Sequence, residues 1–535
     1  MPAEHGGLPP NDDADRNSDI AGQHWDVVII GAGPGGGTLP LRLAQTTGKR
    51  VLLVERGHAL PREAENWQSD KVFGARRYAT NETWRDKRGR GFKPQTHYGL
   101  GGNSKLFGAA LFRLRERDFG EVRHHGGISP AWPLGYADFA PYYREAEVLY
   151  HVHGRRGVDP TDPPDTQDYA HPPLADEPAI AALANSLGRA GYHPFPLPMG
   201  LLRDDADPDN SPCILCSTCD GSPCLLHAKA DAEVIAVRPA LRTGHVTLLQ
   251  DAQAERLITG AGGREVTGVE LVHADGRRGT VRGDVVVLAC GSINPAALLL
   301  RSANAQHPNG LANGSGVVGR HYMCHINSAV IALKPELNPT RFQKTIGLND
   351  FYWGGNGHDH PLGHVQMLGK TDAGTLAAEL PVPAPRSLLV AVARRTMDFW
   401  MMTEDLPSAS NRVTLTQDGG VQLAYTSNNG TAHKQLRQAF KKALDGAGHQ
   451  MRFLPRRLYL GQQIGLPGVA HQCGTVRFGT DPQQSALNLD CQAHELDNLY
   501  VVDGSFFPSS GAVNPTLTII ANALRVADHI RGRLS

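Results

Sequence analysis

The sequence carries no excess of either charge. Its 53 Lys and Arg balance 53 Asp and Glu over 535 residues. No overall electrostatic basis therefore exists for holding nucleic acid or an anionic membrane surface. No stretch approaches the ~18–20 consecutive apolar residues that cross a bilayer. The opening MPAEHGGLPPNDDADRNSDIAGQ lacks a basic stretch, an apolar core and a twin arginine. No export signal is read there, a disordered leader is expected over residues 1–23, and a cytoplasmic location is the default. No internal repeat is present. Of eight cysteines, Cys290, Cys324, Cys473 and Cys491 are scattered and read as small buried apolar residues. What remains is ordinary globular composition, 40% hydrophobic and 20% charged, in a chain long enough for two or three domains.

The strongest local signal is WDVVIIGAGPGGG at residues 25–37. The apolar run Val27–Ile30 suits a strand buried on both faces of a parallel sheet. Gly31, Gly33 and Gly36 complete G-x-G-x-x-G, with Pro34 among them. The first glycine permits the turn, the second lets a pyrophosphate approach the backbone, and the third lets the next helix pack closely. RVLLVE at residues 50–55 reads as the second strand. It ends in Glu55, an acceptor for a ribose hydroxyl about twenty residues past the last glycine. This predicts a dinucleotide site and leaves NAD and FAD both open.

Downstream, YGLGGNSKLFGAA supplies a second glycine turn containing Gly102 and Asn103, small enough to lie against a flat ligand. A helix is expected over residues 138–150, capped by Asp138 with Pro141 in its first turn. Another is expected over residues 228–241, ending before Pro239. GDVVVLACGS reads as a further buried strand and small-residue turn before a helix. Alternating stretches at residues 326–333, 363–368, 412–415 and 421–425 predict a mostly antiparallel sheet. NLYVVDGS closes a strand with Asp503 and Gly504, and Asn514, Pro515 and Thr516 stand at the mouth of the last helix. Upstream of these, His471 stands in a loop with nothing in its spacing to mark it as catalytic.

The fold class is α/β: a Rossmann-type dinucleotide-binding domain built from discontinuous segments, with an inserted α+β substrate domain. The expected division is leader 1–23, cofactor domain 24–125 and 211–322, substrate domain 126–210 and 323–460, and a C-terminal catalytic segment 461–535. The second cofactor segment holds CILCSTCDGSPC, with Cys213, Cys216, Cys219 and Cys224. Such spacing is compatible with an iron–sulfur cluster, with zinc, or with four thiols that bind no metal.

Taken in order, GAGPGGG with Glu55, YGLGGNSKLFGAA, DVVVLACGSINPAALLLRSA, NRVTL, HQCGT and NLYVVDGSFFPSSGAVNPTLTIIANA resemble the glucose–methanol–choline oxidoreductases over nearly the whole chain. The resemblance is nearest the pyranose oxidase and bacterial FAD-dependent sugar dehydrogenase branch. It implies FAD rather than NAD, His471 as catalytic base and Asn514 as its partner. Leu106 matches the position of the histidine that links to flavin in covalent pyranose oxidases, which implies non-covalent FAD. Backbone near Ala254 is the expected adenine contact. Some bacterial members carry a three-iron cluster in the region of the cysteine run, at a different spacing. The implied reaction is oxidation of a CH–OH group of a sugar, glycoside or polyol, with oxygen, a quinone or a redox protein as acceptor. A choline- or sterol-like alcohol, or a flavin-bound lyase of the same fold, is the alternative.

Overall fold

A computed structural model describes residues 20, 22–165, 167–355, 357–380, 383–449, 451–453, 466–468 and 471–535. The leader expected over residues 1–23 lies outside these except for Ile20, Gly22 and Gln23.

The cofactor half is a seven-stranded sheet. Val246–Leu249, Val51–Val54 and His24–Ile30 run parallel, and His24–Ile30 pairs in turn with Arg278–Leu288. The apolar VLLV and VVII runs are buried throughout, as expected of strands covered on both faces. The eleven-residue strand Arg278–Leu288 serves two systems. Its first half pairs antiparallel with Val266–His273, which forms a hairpin with Ala252–Thr259. Its last half pairs parallel with His24–Ile30 on one side and Leu499–Val501 on the other. Leu499–Val501 thus joins a sheet begun at the other end of the chain.

Two helices pack on this sheet. Pro34–Thr46 starts directly from the glycine turn with proline in its first turn. Thr516–Leu534 buries Leu517, Ile520, Ala521, Leu524, Ala527 and Ile530, an apolar stripe at helical spacing. Arg42 of the first donates to Asp528 of the second at 2.9 Å. The helix Tyr136–Leu149 lies against the last one, with Tyr143 and Thr518 hydroxyls 2.7 Å apart.

The substrate half is a six-stranded antiparallel sheet in the order Arg452–Phe453, Ile326–Leu333, Thr396–Thr403, His364–Met367, Ile346–Leu348, Phe195–Pro196. One face packs Val330, Val365, Met367, Phe399 and Met401 against the helices Gly430–Gly446 and Pro178–Arg189. Alternation sends the intervening side chains to the other face. There Ala329, Trp400 and Gln366 stand in register across three strands and face a cavity shared with the cofactor half.

Three local expectations are corrected. The helix predicted from Asp138 begins at Tyr136, and Asp138 instead accepts from the Gly135 N–H at 2.8 Å, which moves Pro141 beyond the first turn. The helix predicted over 228–241 starts later and continues past the proline. Lys229 pairs strand-like with Leu201, a π-turn spans Glu233–Val237, and Arg238–Arg242 follows as α-helix. Pro239 thereby falls at a new α-helical start, where its missing N–H has no partner to lose. Finally, Arg412–Leu415 and Val421–Ala424 leave the antiparallel substrate sheet and form a separate four-stranded one with Trp84–Asp86 and Gly91–Phe92.

Candidate active site

The parallel strands end together. Ile30, Val54, Ala289 and Asp503 all reach one cavity of about 920 Å³. That is near the upper end of the ~300–1,000 Å³ usual for small-molecule sites, and it opens at the carboxyl ends of the strands, where α/β sheets bind ligands.

The glycine turn is shaped by what surrounds it. Gly31 has φ +101°, and a Cβ there would lie 2.6 Å from the Ala289 carbonyl oxygen. A Cβ on Gly36 would fall 1.8 Å from the Gly31 carbonyl oxygen, so that position closes the turn on itself. Gly33 differs: a Cβ there meets no protein atom within 4 Å. Packing does not require glycine at position 33; the cavity does, because the missing side chain leaves room against the helix N-terminus. Glu55 accepts from the Ala32 N–H at 2.9 Å and the Gly57 N–H at 3.0 Å, so the acid also pins the turn it faces. Each carboxylate oxygen keeps a further lone pair for a hydroxyl.

Asp503 is buried, and Oδ1 accepts from the Ser505 N–H and hydroxyl at 3.0 and 2.5 Å. Its Oδ2 has no hydrogen-bond partner. Burial pushes this carboxyl up to about 7. An orphaned carboxylate oxygen at a cavity wall fits a ligand hydroxyl. Gly102, Asn103, Leu106, Ala254, Gly504, Pro515 and Thr516 line the same cavity, with Asn103 Oδ1 held by the His97 N–H at 3.0 Å. Ala254 sits at a bulge in its strand, two residues after Ala252, whose N–H donates to the Glu55 carbonyl at 3.1 Å. Gly33, Asp503 and the Thr516 helix start together form a cradle suited to a dinucleotide's pyrophosphate and sugar.

His471 and Asn514 line the same cavity, with the Asn514 amide nitrogen 3.5 Å from His471 Nε2. Asn514 Oδ1 is buried without a partner. The short strand Gln472–Cys473 pairs antiparallel with Met323–Cys324, in a register that sets His325 opposite His471. Their Nδ1 atoms are 3.0 Å apart, and His325 Nε2 lies 3.4 Å from the Ser510 carbonyl oxygen. Only one tautomer set satisfies this chain. His325 donates from Nε2 to Ser510 and accepts at Nδ1. His471 donates from Nδ1, leaving Nε2 unprotonated, an acceptor that faces the Asn514 amide N–H and the cavity. Burial, and after it the neighbouring charges of His325, Lys344 and His364, hold the His471 pKa well below the usual imidazole value. A neutral imidazole with a bare Nε2 can take a proton from an alcohol. His325 was invisible to sequence reasoning. It lies 146 residues from His471, and only strand register joins them.

The cysteine run is not assembled as a metal centre. Among the described residues, no three His, Cys, Asp or Glu are arranged to hold a metal ion. With no metal bound, burial pushes Cys213 up to about 11 and Cys219 to about 12, so both are thiols. The loop is instead tied down by the buried Lys229, which donates to the Cys219, Ser222 and Phe107 carbonyls at 2.6, 2.8 and 2.8 Å. So held, Ser217, Thr218, Asp220 and Ser222 become cavity wall. Cys290, expected to be packing only, is partly exposed and also lines the cavity.

Two family models described as GMC oxidoreductase match residues 95–327 and 383–523. 6'''-Hydroxyparomomycin C oxidase of Streptomyces lividus is 31% identical over 100% of this chain and 95% of its own. 2-Methyl-1,2-propanediol dehydrogenase of Mycolicibacterium austroafricanum is 28% identical over 95% of this chain and 96% of its own. Among solved structures, pyridoxine 4-oxidase from "Mesorbium loti" superposes with a TM-score of 0.65 at 18% identity, covering 94% of this chain and 99% of its own. Together with a parallel sheet whose ends meet an antiparallel substrate sheet across one cavity, these matches lead to one conclusion: the chain belongs to the GMC oxidoreductase family.

Proposed function

We infer that the protein binds FAD without a covalent link and oxidises the CH–OH group of a sugar, glycoside or polyol to a carbonyl, with His471 as base and Asn514 as its partner. The reading rests on one observation above all: a neutral His471 with Nε2 unprotonated, beside the Asn514 amide, in the same cavity as the glycine turn. Bound FAD supplies the hydride acceptor that such an oxidation requires. The chain's own residues supply the rest. The cradle of Gly33, Glu55, Asp503 and Thr516 holds the cofactor's phosphates and sugar. Leu106 at the cavity wall offers no nucleophile for a covalent link. Asn514 takes the substrate oxygen and orients the C–H bond. His471 Nε2 receives the hydroxyl proton as the hydride leaves, so one hydride and one proton are lost for each carbonyl formed. Relatives named as oxidases and as dehydrogenases support oxidation of an alcohol and leave the electron acceptor to experiment.

The test is the anaerobic absorption spectrum of the flavin-loaded protein during additions of sugars, glycosides, polyols and simple alcohols. Bleaching of the flavin bands by a polyhydroxylated compound is expected. Reoxidation on adding oxygen, a quinone or a redox protein then identifies the acceptor. A flavin that no alcohol bleaches would overturn the reading.

A further inference from the structure

The cavity contains a buried cation that the chemistry described so far does not use. The Lys344 side chain is 3% exposed and lines the cavity wall just before the strand Ile346–Leu348. Its Nζ donates to Asp220 Oδ1 at 2.5 Å, and Asp220 is its only hydrogen-bond partner among the described residues. An ammonium has three donors, so two remain unpaired in a place where an unpaired donor is costly. The other Asp220 oxygen accepts from the Gly369 N–H, so the carboxylate is held on both sides. The fold makes room for this pair: a Cβ at Gly108 would lie 1.7 Å from Asp220 Oδ1 and 2.0 Å from Lys344 Nζ. The pair thus joins the cysteine loop to the substrate sheet at the cavity.

Gln366 stands nearby in the cavity-facing row with Trp400 and Ala329. As placed, its Oε1 lies 3.1 Å from His364 Nε2. Asn349 gives its amide N–H groups to Asp159 and Thr161, so its Oδ1 must accept from His364 Nδ1, at 2.6 Å. Burial holds His364 down to about 3, so it is neutral and its Nε2 can only accept. Reversing the Gln366 amide about its last bond satisfies this network: the N–H is then given to His364 and the carbonyl oxygen turns toward the cavity. A donor, an acceptor and an indole face are therefore presented together.

We propose that Lys344, tethered by Asp220 of the cysteine loop, is the substrate-anchoring donor. It takes a hydroxyl or ether oxygen of a neutral polyhydroxylated molecule, while Gln366 accepts from a hydroxyl. The Lys344–Asp220 pair has no net charge, so it selects for lone-pair oxygens rather than for an ionised substrate. This rests on the alcohol-oxidation reading and adds which part of the substrate is recognised.

The experiment uses flavin-loaded Lys344→Met, with the double variant Lys344→Met/Asp220→Asn, which leaves no unpaired carboxylate and guards against misfolding. Flavin content reports integrity. The apparent Kd is read from the flavin spectrum against sorbitol, methyl glucoside and 1-butanol, whether the response is a perturbation or a bleaching. Binding of the two polyhydroxyl probes is expected to weaken about 10–100-fold in both variants, the range for a hydrogen bond to a charged donor, whereas 1-butanol weakens at most about threefold. Equal losses for all three probes, wild-type affinity for sorbitol in the variants, or no response of the wild type to either polyhydroxyl probe would overturn it. Failure of every alcohol to bleach the flavin would instead strike the oxidation reading, because binding is scored separately.

Discussion

His471 gains its chemistry from what its other nitrogen touches. His325 fixes the proton on Nδ1, so Nε2 is the basic atom. Replacing His471 by Ala should leave flavin bound and remove on the order of 3–5 kcal/mol of transition-state stabilisation, measurable as the rate of anaerobic flavin reduction. His325→Leu should keep flavin and substrate affinity but slow reduction about 10–100-fold, the scale found for lost orientation, because the His471 ring loses the acceptor that selects its tautomer. Since the His471 pKa is held well below 6.5, the base is already neutral at pH 6, and kcat/KM should stay flat from pH 6 to 8 as far as this group is concerned. Asp503 gives the opposite kind of signal. Its folded pKa, about 7, stands above the unfolded carboxylate value, so the folded chain holds an extra proton between the two. The stability it contributes is full below the unfolded pKa and is lost as pH rises toward 7, each unit of displacement being worth about 1.4 kcal/mol. Asp503→Asn apoprotein should therefore become progressively more stable than the wild type, in urea unfolding, as pH rises from 4 to 8.

The glycine turn separates fold from function within six residues. Gly33→Ala has space for its methyl group, so the apoprotein should unfold within about 0.5 kcal/mol of the wild type, as surface changes do, while flavin content falls. Gly36→Ala drives a methyl into the Gly31 carbonyl and should cost several kcal/mol or prevent folding, visible in soluble yield and thermal midpoint. This turn was fully legible in sequence, because strand, glycines, helix, strand and acid follow one another within a local pattern. The cysteine run was not. Four thiols at metal-like spacing look alike in sequence whether or not they converge. Their fate is set by Lys229, whose burial against three carbonyls nothing local announces. The same reason hides His325 and Gln366, which meet neighbours through strand register, and Lys344, whose partner Asp220 lies 124 residues away in the cysteine loop. The helix at Arg238–Arg242 fails differently, since a π-turn lets the chain pass a proline that ordinarily stops it.

Across the whole molecule, cofactor binding is expected to act as a clamp. The cradle draws on Gly33 and Glu55 near one end of the chain, Ala254 in the middle, and Asp503 and Thr516 near the other. A ligand that binds only the assembled form stabilises it by about 2.7 kcal/mol at a hundred times its Kd. Stripping the flavin should therefore lower the thermal midpoint, and adding FAD back should restore it in a concentration-dependent way. The parallel register that aligns Val286–Leu288 with Leu499–Val501 carries a further consequence for biosynthesis. When Arg278–Leu288 leaves the ribosome, its last residues, Val286–Leu288, have no partner on one side, and more than a third of the chain is still untranslated. Pairings between such distant segments form slowly, and an unpaired strand edge invites association with other chains. A nascent chain must hold that bare edge until the last strand arrives, which makes the interval before translation ends the period when this protein most needs a chaperone.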